Sequence, residues 1–315
     1  MKRKWLAVGI ILLFVGTCIV PTTAQNTDKP QSQSRGNWLY VGGSGPGNYT
    51  KIQDAVDNAS DGDTVFVYDD SSPYIEYICI GKALTLRGED KNTTVIEGYV
   101  HLTASKVTLC NFTFQKADWT GIEVSSSAGE ISDVVIVDNI IKLTINGIAA
   151  SYASLNIKRN IIEDNFRGVS LQNSYAIIEY NIIHHNSQGI SAWAKEGTLI
   201  THNDIRFSQT GIGVGSSSRI NILNNNLQEN EYGIFLYNSK FIVIKENNFI
   251  DNSYLNANFF NLFLVRWIKN YWDDWDNTGL YKIPGQKFPG TIFSCRWYNF
   301  DFHPAQEPYD IPGMS

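Results

Sequence analysis

The chain has 315 residues, 43% of them hydrophobic, and a formal net charge of −6 at pH 7. Three of its 25 Lys and Arg residues lie before position 25, where there is no acidic residue, so the remainder carries 22 basic side chains against 31 acidic ones. This acidic balance argues against a surface that binds nucleic acid or an anionic membrane.

The first 24 residues have the layout of a secretory signal peptide. Lys2, Arg3 and Lys4 precede an apolar run over residues 6–20, and small residues follow up to Ala24. We predict cleavage after Ala24 and an extracytoplasmic protein that is either secreted or displayed at the cell surface. An uncleaved N-terminal signal that anchors the chain in the membrane is the alternative. Residues 25–37 are mostly polar and predict a flexible linker.

Short segments upstream of position 100 begin the ordered part of the chain. Residues 50–60 predict a helix that caps the first turn of a β-structure, with Thr50 as its N-cap and Ile52, Ala55 and Val56 on its apolar face. Alternating segments after this helix predict short strands.

A motif of about twelve residues then recurs through the middle of the chain. Its leading asparagine lies at positions 139, 160, 181, 203, 225 and 247, at intervals of 21, 21, 22, 22 and 22 residues. A glycine lies eight residues after each of the first five asparagines, and a looser earlier copy runs from Asn111 to Gly121. A fixed period of this length predicts a solenoid, because each unit has an apolar face that it cannot bury alone.

Within each repeat, apolar residues alternate with small or polar ones, as in Ile157, Ile162, Val169 and Leu171. This alternation predicts strands with one buried face, and turn glycines are too sparse for an array of hairpins. We therefore predict an all-β, single-stranded right-handed parallel β-helix over residues 38–253, with one turn per repeat. The asparagines would stack at ~4.8 Å and hydrogen-bond to one another, and the glycine would supply a backbone bend. Residues 254–315 are dense in aromatic residues and predict a C-terminal cap.

Four stretches of sequence carry a family resemblance. They are GNYTKIQDAVDNASDGDTVFV (47–67), PYIEYICIGKALTLRGEDKNTTVIEG (73–98), the recurring N-x-I-x-x-N-x-x-G-I turns, and the closing NYWDDW and FDFHPAQEPYDI. In these stretches the chain resembles the secreted β-helix proteins of the pectin-lyase-like superfamily, in particular the NosD-like or CASH type of archaeal surfaces. The resemblance implies the fold. It leaves function open, because such relatives include polysaccharide lyases and hydrolases, a copper-assembly accessory protein and surface proteins without known activity.

In catalytic relatives, the resemblance implies a cleft along the sheet that contains the strand after the repeat's glycine. Hydrolysis of a glycosidic bond normally needs two carboxylates, and a lyase needs an acidic Ca²⁺ cluster with a basic residue nearby. The outward positions of this strand offer only Glu123. We therefore predict no catalytic residues, and a polysaccharide lyase or glycoside hydrolase is the alternative.

The same outward positions favour carbohydrate binding. Trp193 and Tyr237 fall in one column, two turns apart, with Gly215 between them, and Ser191, Gly213 and Phe235 fall in the neighbouring column. We predict a notch floored by the glycines, in which aromatic faces contact sugar rings. The predicted carbohydrate-binding residues are Trp193, Tyr237, Phe235, Gln172 and Ser191.

A metal site is a further hypothesis. Cys79, His101 and Glu123 are spaced 22 residues apart, which would place a thiol, an imidazole and a carboxylate on successive turns, ~4.8 Å apart, as ligands for Zn²⁺ or copper. A pairing of Cys79 with Cys110 is an alternative. Cys295 makes the count odd, so at least one thiol is free, metal-bound or paired between chains.

The stretch DDWDNTG (273–279) could hold Ca²⁺, although it lacks the alternating ligands of an EF-hand. A turn is the simpler interpretation of this stretch.

Together these patterns predict a non-catalytic surface protein that binds a polysaccharide or a cell-envelope glycan, or that has a structural role there. The alternatives are a carbohydrate-active enzyme and a NosD-like metal accessory protein. We expect no nucleic-acid partner, and membrane association only through an uncleaved N-terminal signal. The state of oligomerisation is open.

Overall fold

Short strands follow one another around a single axis, and each pairs with the strand one turn earlier and one turn later in the chain. The computed structural model describes residues 36–287 and 295–311, so the predicted signal peptide and nearly all of the predicted linker lie outside it. No helix in the described part is long and apolar enough to cross a membrane.

Three columns of strands run the length of the solenoid. The first column, the front sheet, contains Ile78–Ile80, Val100–Leu102, Thr120–Val124, Asn146–Ser151, Arg167–Gln172, Gln188–Trp193, Thr210–Gly215, Tyr232–Tyr237, Leu255–Phe260 and Tyr281–Lys287. The second sheet contains Trp38–Val41, Thr64–Val67, Thr85–Gly88, Thr108–Cys110, Ile131–Val137, Ala153–Lys158, Tyr175–Glu179, Leu199–Thr201, Asn221–Leu223, Val243–Lys245, Arg266–Ile268 and Cys295–Asp301. The third sheet contains Tyr74–Ile75, Val95–Glu97, Thr113–Gln115, Ile140–Lys142, Ile161–Glu163, Ile182–His184, Asp204–Arg206, Asn226–Gln228, Asn248–Ile250 and Tyr271–Trp272.

Except for the last two strands, which pair with each other in antiparallel fashion, every ladder among these strands is parallel. The prediction of an all-β right-handed parallel β-helix is therefore confirmed. Its interior is a continuous column of aliphatic side chains, such as the fully buried Ile157, Ile162, Val169 and Leu171 of one turn. Each such side chain contributes about 1.5–3 kcal/mol through removal from water.

The leading asparagines form the predicted ladder. Each is buried, and its Nδ2 and backbone N–H both contact the Oδ1 of the asparagine in the next turn, as Asn160 does with Asn181 at 3.1 and 3.0 Å. The ladder continues beyond the predicted copies to Asn270. The backbone N–H and the side-chain Nδ2 of Asn270 both donate to the carboxylate of the buried Asp301. These contacts satisfy polar groups that would otherwise be orphaned in the core.

The repeated glycine has a different role from the predicted bend. A Cβ on Gly168 would lie 2.6 Å from the carbonyl oxygen of Gly189 in the next turn, so glycine permits the close approach of successive turns. The left-handed bends instead fall on the non-glycine residue before each ladder asparagine, at Asp138, Arg159, Tyr180, His202, Asn224, Glu246 and Lys269.

The looser copy at Asn111 is aligned one residue too early. Ile140 pairs with Thr113, so Phe112 stands where the next turn has Asn139, and its backbone N–H donates to the Oδ1 of that asparagine at 3.1 Å. Phe112 is fully buried, so the first position of the ladder is held by an apolar side chain.

The predicted helix spans Ile52–Asn58 and buries Ile52, Ala55 and Val56. Its N-cap is Lys51 rather than Thr50, and that side chain makes no capping hydrogen bond. The Glu76 carboxylate, from a later segment, accepts from the backbone N–H groups of Ile52 and Gln53 at 2.9 and 3.0 Å. A carboxylate in this position accepts hydrogen bonds from two backbone N–H groups that have no partner within the helix, and its negative charge interacts favourably with the positive end of the helix dipole.

The parallel ladders also extend past residue 253. Leu255–Phe260, Arg266–Ile268 and Tyr271–Trp272 pair in parallel with the strands one turn earlier. This turn is 23 residues long and has Asn256 where earlier turns have the glycine, which is why the repeat fades there. An antiparallel hairpin, Tyr281–Lys287 with Cys295–Asp301, follows it.

Candidate functional site

The outward positions of the front sheet line up as predicted. Ladder pairings place Ser191 beside Gly213, and Gly213 beside Phe235. The full middle column is Cys79, His101, Glu123, Ala149, Ser170, Ser191, Gly213, Phe235 and Asn258. Two residues further along the same strands, Gln172 pairs with Trp193, and Gly215 pairs with Tyr237.

A hollow of about 210 Å³ lies on this face between Trp193 and Tyr237. Its lining is aromatic, small or neutral: Gln188, Ser191, Ala192, Trp193, Thr210, Gly213, Val214, Gly215, Phe235 and Tyr237. Trp193 is 49% exposed and Tyr237 is 42% exposed. No charged side chain lines the hollow, so it suits a neutral ligand with apolar faces and hydroxyl groups.

The floor of the hollow is narrower than the predicted notch. The Trp193 indole leans across Gly215, so a Cβ on that glycine would lie 2.7 Å from the indole Nε1. Above Gly213 the surface is open, since a Cβ added at that glycine would have its nearest neighbouring atom 3.8 Å away. Ser191 is only 5% exposed and lies at the base of the hollow. The open floor therefore lies at Gly213.

Trp193 separates this hollow from a second one, of about 540 Å³, on the side of the previous turn. Gln172 lines the second hollow rather than the first, together with Arg167, Ser170 and Asn173. The Nε of Arg167 donates to the Gln188 side chain at 3.3 Å, which links the two hollows beside the indole. Sequence reasoning missed Arg167, Gln188 and Thr210, because they precede the repeat's glycine and lie in a column that was not aligned.

The side of the site near Tyr237 has more aromatic residues than the sequence predicted. Phe260 pairs with Tyr237 and packs edge-on against Phe235, with ring centroids 5.4 Å apart. Tyr232 packs edge-on against the other side of Phe235 at 6.5 Å. Edge-to-face packing fixes Phe235 in place, so this wall of the hollow is preorganised. Phe260 was missed because the solenoid was predicted to end at residue 253.

The predicted metal residues fall in register but do not form a ligand set. Glu123 accepts hydrogen bonds from the Tyr99 hydroxyl and, at 2.7 Å, from Ser125 Oγ. His101 Nε2 lies 2.9 Å from the same Ser125 hydroxyl. Among the described residues, there is no cluster of three or more His, Cys, Asp or Glu side chains that could hold a metal ion. Cys79, His101 and Glu123 are therefore not such a cluster. The zinc or copper hypothesis stays a prediction for metal analysis to decide.

The stretch over residues 273–279 is held by hydrogen bonds within the protein. Asp273 and Asp274 both accept from the Asn256 amide, at 2.9 and 2.8 Å. Asp276 accepts from the Thr278 backbone N–H at 3.0 Å, which is the geometry of a turn stabilised by an aspartate side chain. The cysteines at 79, 110 and 295 are unpaired, so the alternative pairing of Cys79 with Cys110 is wrong.

Comparisons with known proteins bear on the fold. The family model "right handed beta helix region" matches residues 120–260. No curated protein sequence matches the chain. Among solved structures, the enzymatically active domain of Bacteriophage CBA120 tailspike protein 2 is similar, with a TM-score of 0.55 and 12% identity over 81% of this chain and 44% of that one.

Two further structures show the same likeness. Pectate lyase Pel9A has a TM-score of 0.52 and 12% identity, over 76% of this chain and 81% of that one. The Dettilon tailspike protein has a TM-score of 0.51 and 12% identity, over 75% of this chain and 61% of that one. The chain thus spans less than two thirds of both tailspike chains. With the strand ladders, these matches establish that the chain has the right-handed parallel β-helix fold.

Proposed function

We propose that the chain binds carbohydrate on the outer face of the front sheet, at the hollow between Trp193 and Tyr237. The observation that carries this proposal is the exposure of two aromatic faces on either side of a small-residue floor at Gly213. Aromatic rings pack on the apolar faces of sugar rings, and the neutral groups of Gln188 and Thr210 suit hydroxyl recognition.

The solenoid also supports a long ligand. The second hollow continues the surface beyond Trp193, and the outward side chains there are Ser170 and Gln172. Because both hollows lie along one sheet, successive units of a polymer can contact successive turns. One structurally similar protein is named a pectate lyase, which supports a polysaccharide as the kind of ligand.

A non-catalytic role accords with the chemistry of the front sheet. Among the described outward positions in its aligned columns, Glu123 is the one carboxylate, whereas glycosidic hydrolysis normally uses two. Glu123 also lies several turns from Ser191 along the middle column. We further propose an extracytoplasmic location, from the signal-like N-terminus, and membership of the NosD-like or CASH type, from the sequence motifs shared with that group.

The test is retention on a panel of immobilised polysaccharides. Replacement of Trp193 and Tyr237 together by Ala should lower the affinity for a retained glycan at least tenfold, which is ~1.4 kcal/mol. Both side chains are substantially exposed, so the denaturation midpoint should change little.

Tyr180→Ala is the matched control, because Tyr180 is also 42% exposed but lies outside the front sheet. Undiminished retention by the double variant, or equal loss in the control, would exclude this hollow as the binding site. Turnover of any polysaccharide in the panel would favour the enzyme alternative.

A further inference from the structure

A larger cleft, of about 620 Å³, lies at the corner between the third and front sheets, near the start of the solenoid. It crosses three successive turns and is separate from the hollow at Trp193. Side chains of two chemical kinds dominate its lining: the aromatic Tyr77, Tyr99 and Trp119, and the acidic Glu76, Glu97, Asp118 and Glu123.

The loop over residues 116–119 forms one wall. This loop has four residues between its strands, whereas the corresponding loop in the next turn, residues 143–145, has three. The longer loop leaves Trp119 72% exposed. In the previous turn, Gly98 has a φ of +150°, and a Cβ there would lie 2.1 Å from the Glu76 carbonyl oxygen. Glycine thus keeps the base of the corner free of a side chain.

Aromatic rings line the cleft on two sides. Tyr77 is 65% exposed, and its ring centroid lies 4.6 Å from that of Tyr99. Trp119 lies on the loop of the following turn. Large exposed aromatic side chains in one concavity are typical of sites that bind sugar rings or organic cations.

The charge of the lining is strongly negative. Four carboxylates and one ammonium line the cleft, so its formal charge is minus three. Lys116 is already engaged by Glu97 at 2.7 Å. Within the described residues, neither Glu123 nor Asp118 forms an ion pair with Lys or Arg. The Glu123 and Asp118 carboxylates therefore face the cleft without a Lys or Arg partner, and the His101 imidazole is the basic group beside Glu123.

Glu123 is held as a carboxylate by its neighbours. Its partial burial raises the pKa, but hydrogen bonds from Tyr99 and Ser125 together with the charge of His101 outweigh that effect, and the pKa lies below its ordinary value. The Tyr99 hydroxyl donates to Glu123, and burial together with this bond raises the Tyr99 pKa. Glu123 is thus a fixed negative charge beside the aromatic rings at neutral pH.

We propose that this cleft binds an amino sugar in its protonated form. The Tyr77 and Trp119 rings contact the apolar faces of the sugar, and the Glu123 and Asp118 carboxylates bind its ammonium group. A cation beside aromatic faces and carboxylates gains from both interactions. The neutral hollow at Trp193 lacks such charges, so this inference stands or falls independently of the function proposed for that hollow.

Isothermal titration of the purified protein with a soluble glucosamine oligomer, and with its fully N-acetylated counterpart, tests the proposal. We expect binding of the glucosamine oligomer and at least tenfold weaker binding of the N-acetylated one. Glu123→Gln should weaken binding about tenfold, and Trp119→Ala about threefold. Because the Glu123 pKa is lowered, affinity should persist on mild acidification and fall once the pH drops through that pKa.

Asp118→Asn is a second variant of the cleft that should not disturb folding. Asp118 is exposed, and its side chain makes no hydrogen bond or ion pair among the described residues. This variant should also weaken binding of the glucosamine oligomer. Glu229→Gln is the matched control, an exposed carboxylate on a distant turn whose loss changes the net charge equally. Equal affinity for the N-acetylated oligomer in the variant with Trp193 and Tyr237 replaced would overturn the proposal. So would full affinity in both Glu123→Gln and Trp119→Ala, or binding of a lysine peptide without binding of the glucosamine oligomer. The variant with Trp193 and Tyr237 replaced should bind glucosamine normally.

Discussion

The asparagine ladder makes a sharp prediction about stability at Asn203. This side chain is fully buried. Its Nδ2 donates to Ile178 O, Thr201 O and Asn225 Oδ1 at 2.8, 2.9 and 3.0 Å, and its Oδ1 accepts from the N–H and Nδ2 of Asn181 at 3.0 and 2.9 Å. Asn203→Ala removes all five hydrogen bonds and leaves their partners in a dry interior.

Each net hydrogen bond contributes about 1 kcal/mol, and each buried group left unsatisfied costs about 1–3 kcal/mol. Some partners keep a second bond, so we expect a total loss of about 3–5 kcal/mol. Equilibrium denaturation followed by circular dichroism measures this loss from the midpoint, provided that the slope is unchanged.

Asn221→Ala is the control for this experiment. Asn221 is an outward-facing residue of the second sheet, and its side chain makes no hydrogen bond among the described residues. Its replacement should change the unfolding free energy by about 0.5 kcal/mol or less. If Asn203→Ala were no more damaging than this control, the stacked amides would not be a major source of stability, and the ladder would not explain why the fold holds together.

Two further predictions concern close packing. Gly189→Ala should lower the unfolding free energy by about 1–3 kcal/mol, because its Cβ would lie 2.6 Å from a carbonyl oxygen of the next turn. Gly213→Ala is the control, because the space above that glycine is open. Equal thermal midpoints of the two variants would contradict the reasoning. Trp272 stacks between Phe249 and Tyr281 at 4.2 and 4.1 Å, so Trp272→Ala should cost about 3–5 kcal/mol and increase amide exchange in Tyr281–Lys287 first. Uniform exchange along the whole solenoid would show that the stack does not hold this strand.

The fold was predictable because its main constraint repeats in the sequence. Each turn must place an amide over an amide and an aliphatic over an aliphatic, so the same letters recur at nearly equal intervals. The prediction failed where other residues meet the same constraint. Phe112 replaces the asparagine at one end of the ladder, and Asn256 replaces the glycine near the other. The period also lengthens there, which hid Asn270 from the alignment.

For the candidate site, the sequence predicted only which outward residues lie next to one another in the ladders. Counting along the repeat placed Trp193, Tyr237, Phe235 and Ser191 around one hollow. It could not show that the Trp193 indole leans over Gly215, because side-chain direction depends on local packing.

The cleft at the corner between the third and front sheets could not be predicted from the sequence for a related reason. It depends on the four-residue loop 116–119, whereas the corresponding loops of the next five turns have three residues each. It also depends on aromatic side chains at strand ends, where the period-two pattern does not apply. Neither feature leaves a recurring signal that an alignment of the turns could detect.

The division between inward and outward positions also explains how one solenoid can carry both of the proposed sites. Inward residues are fixed by their neighbours above and below, so they change little from turn to turn. Outward residues of the front sheet meet no such restriction, and the middle column changes from Glu123 through Ser191 to Phe235 without disturbing a ladder. Ligand chemistry can therefore differ along one face, acidic and aromatic near Glu123 but neutral and aromatic near Phe235, while the backbone beneath stays the same. It follows that substitutions at the two sites should act on binding independently of each other, since no ladder contact joins them directly.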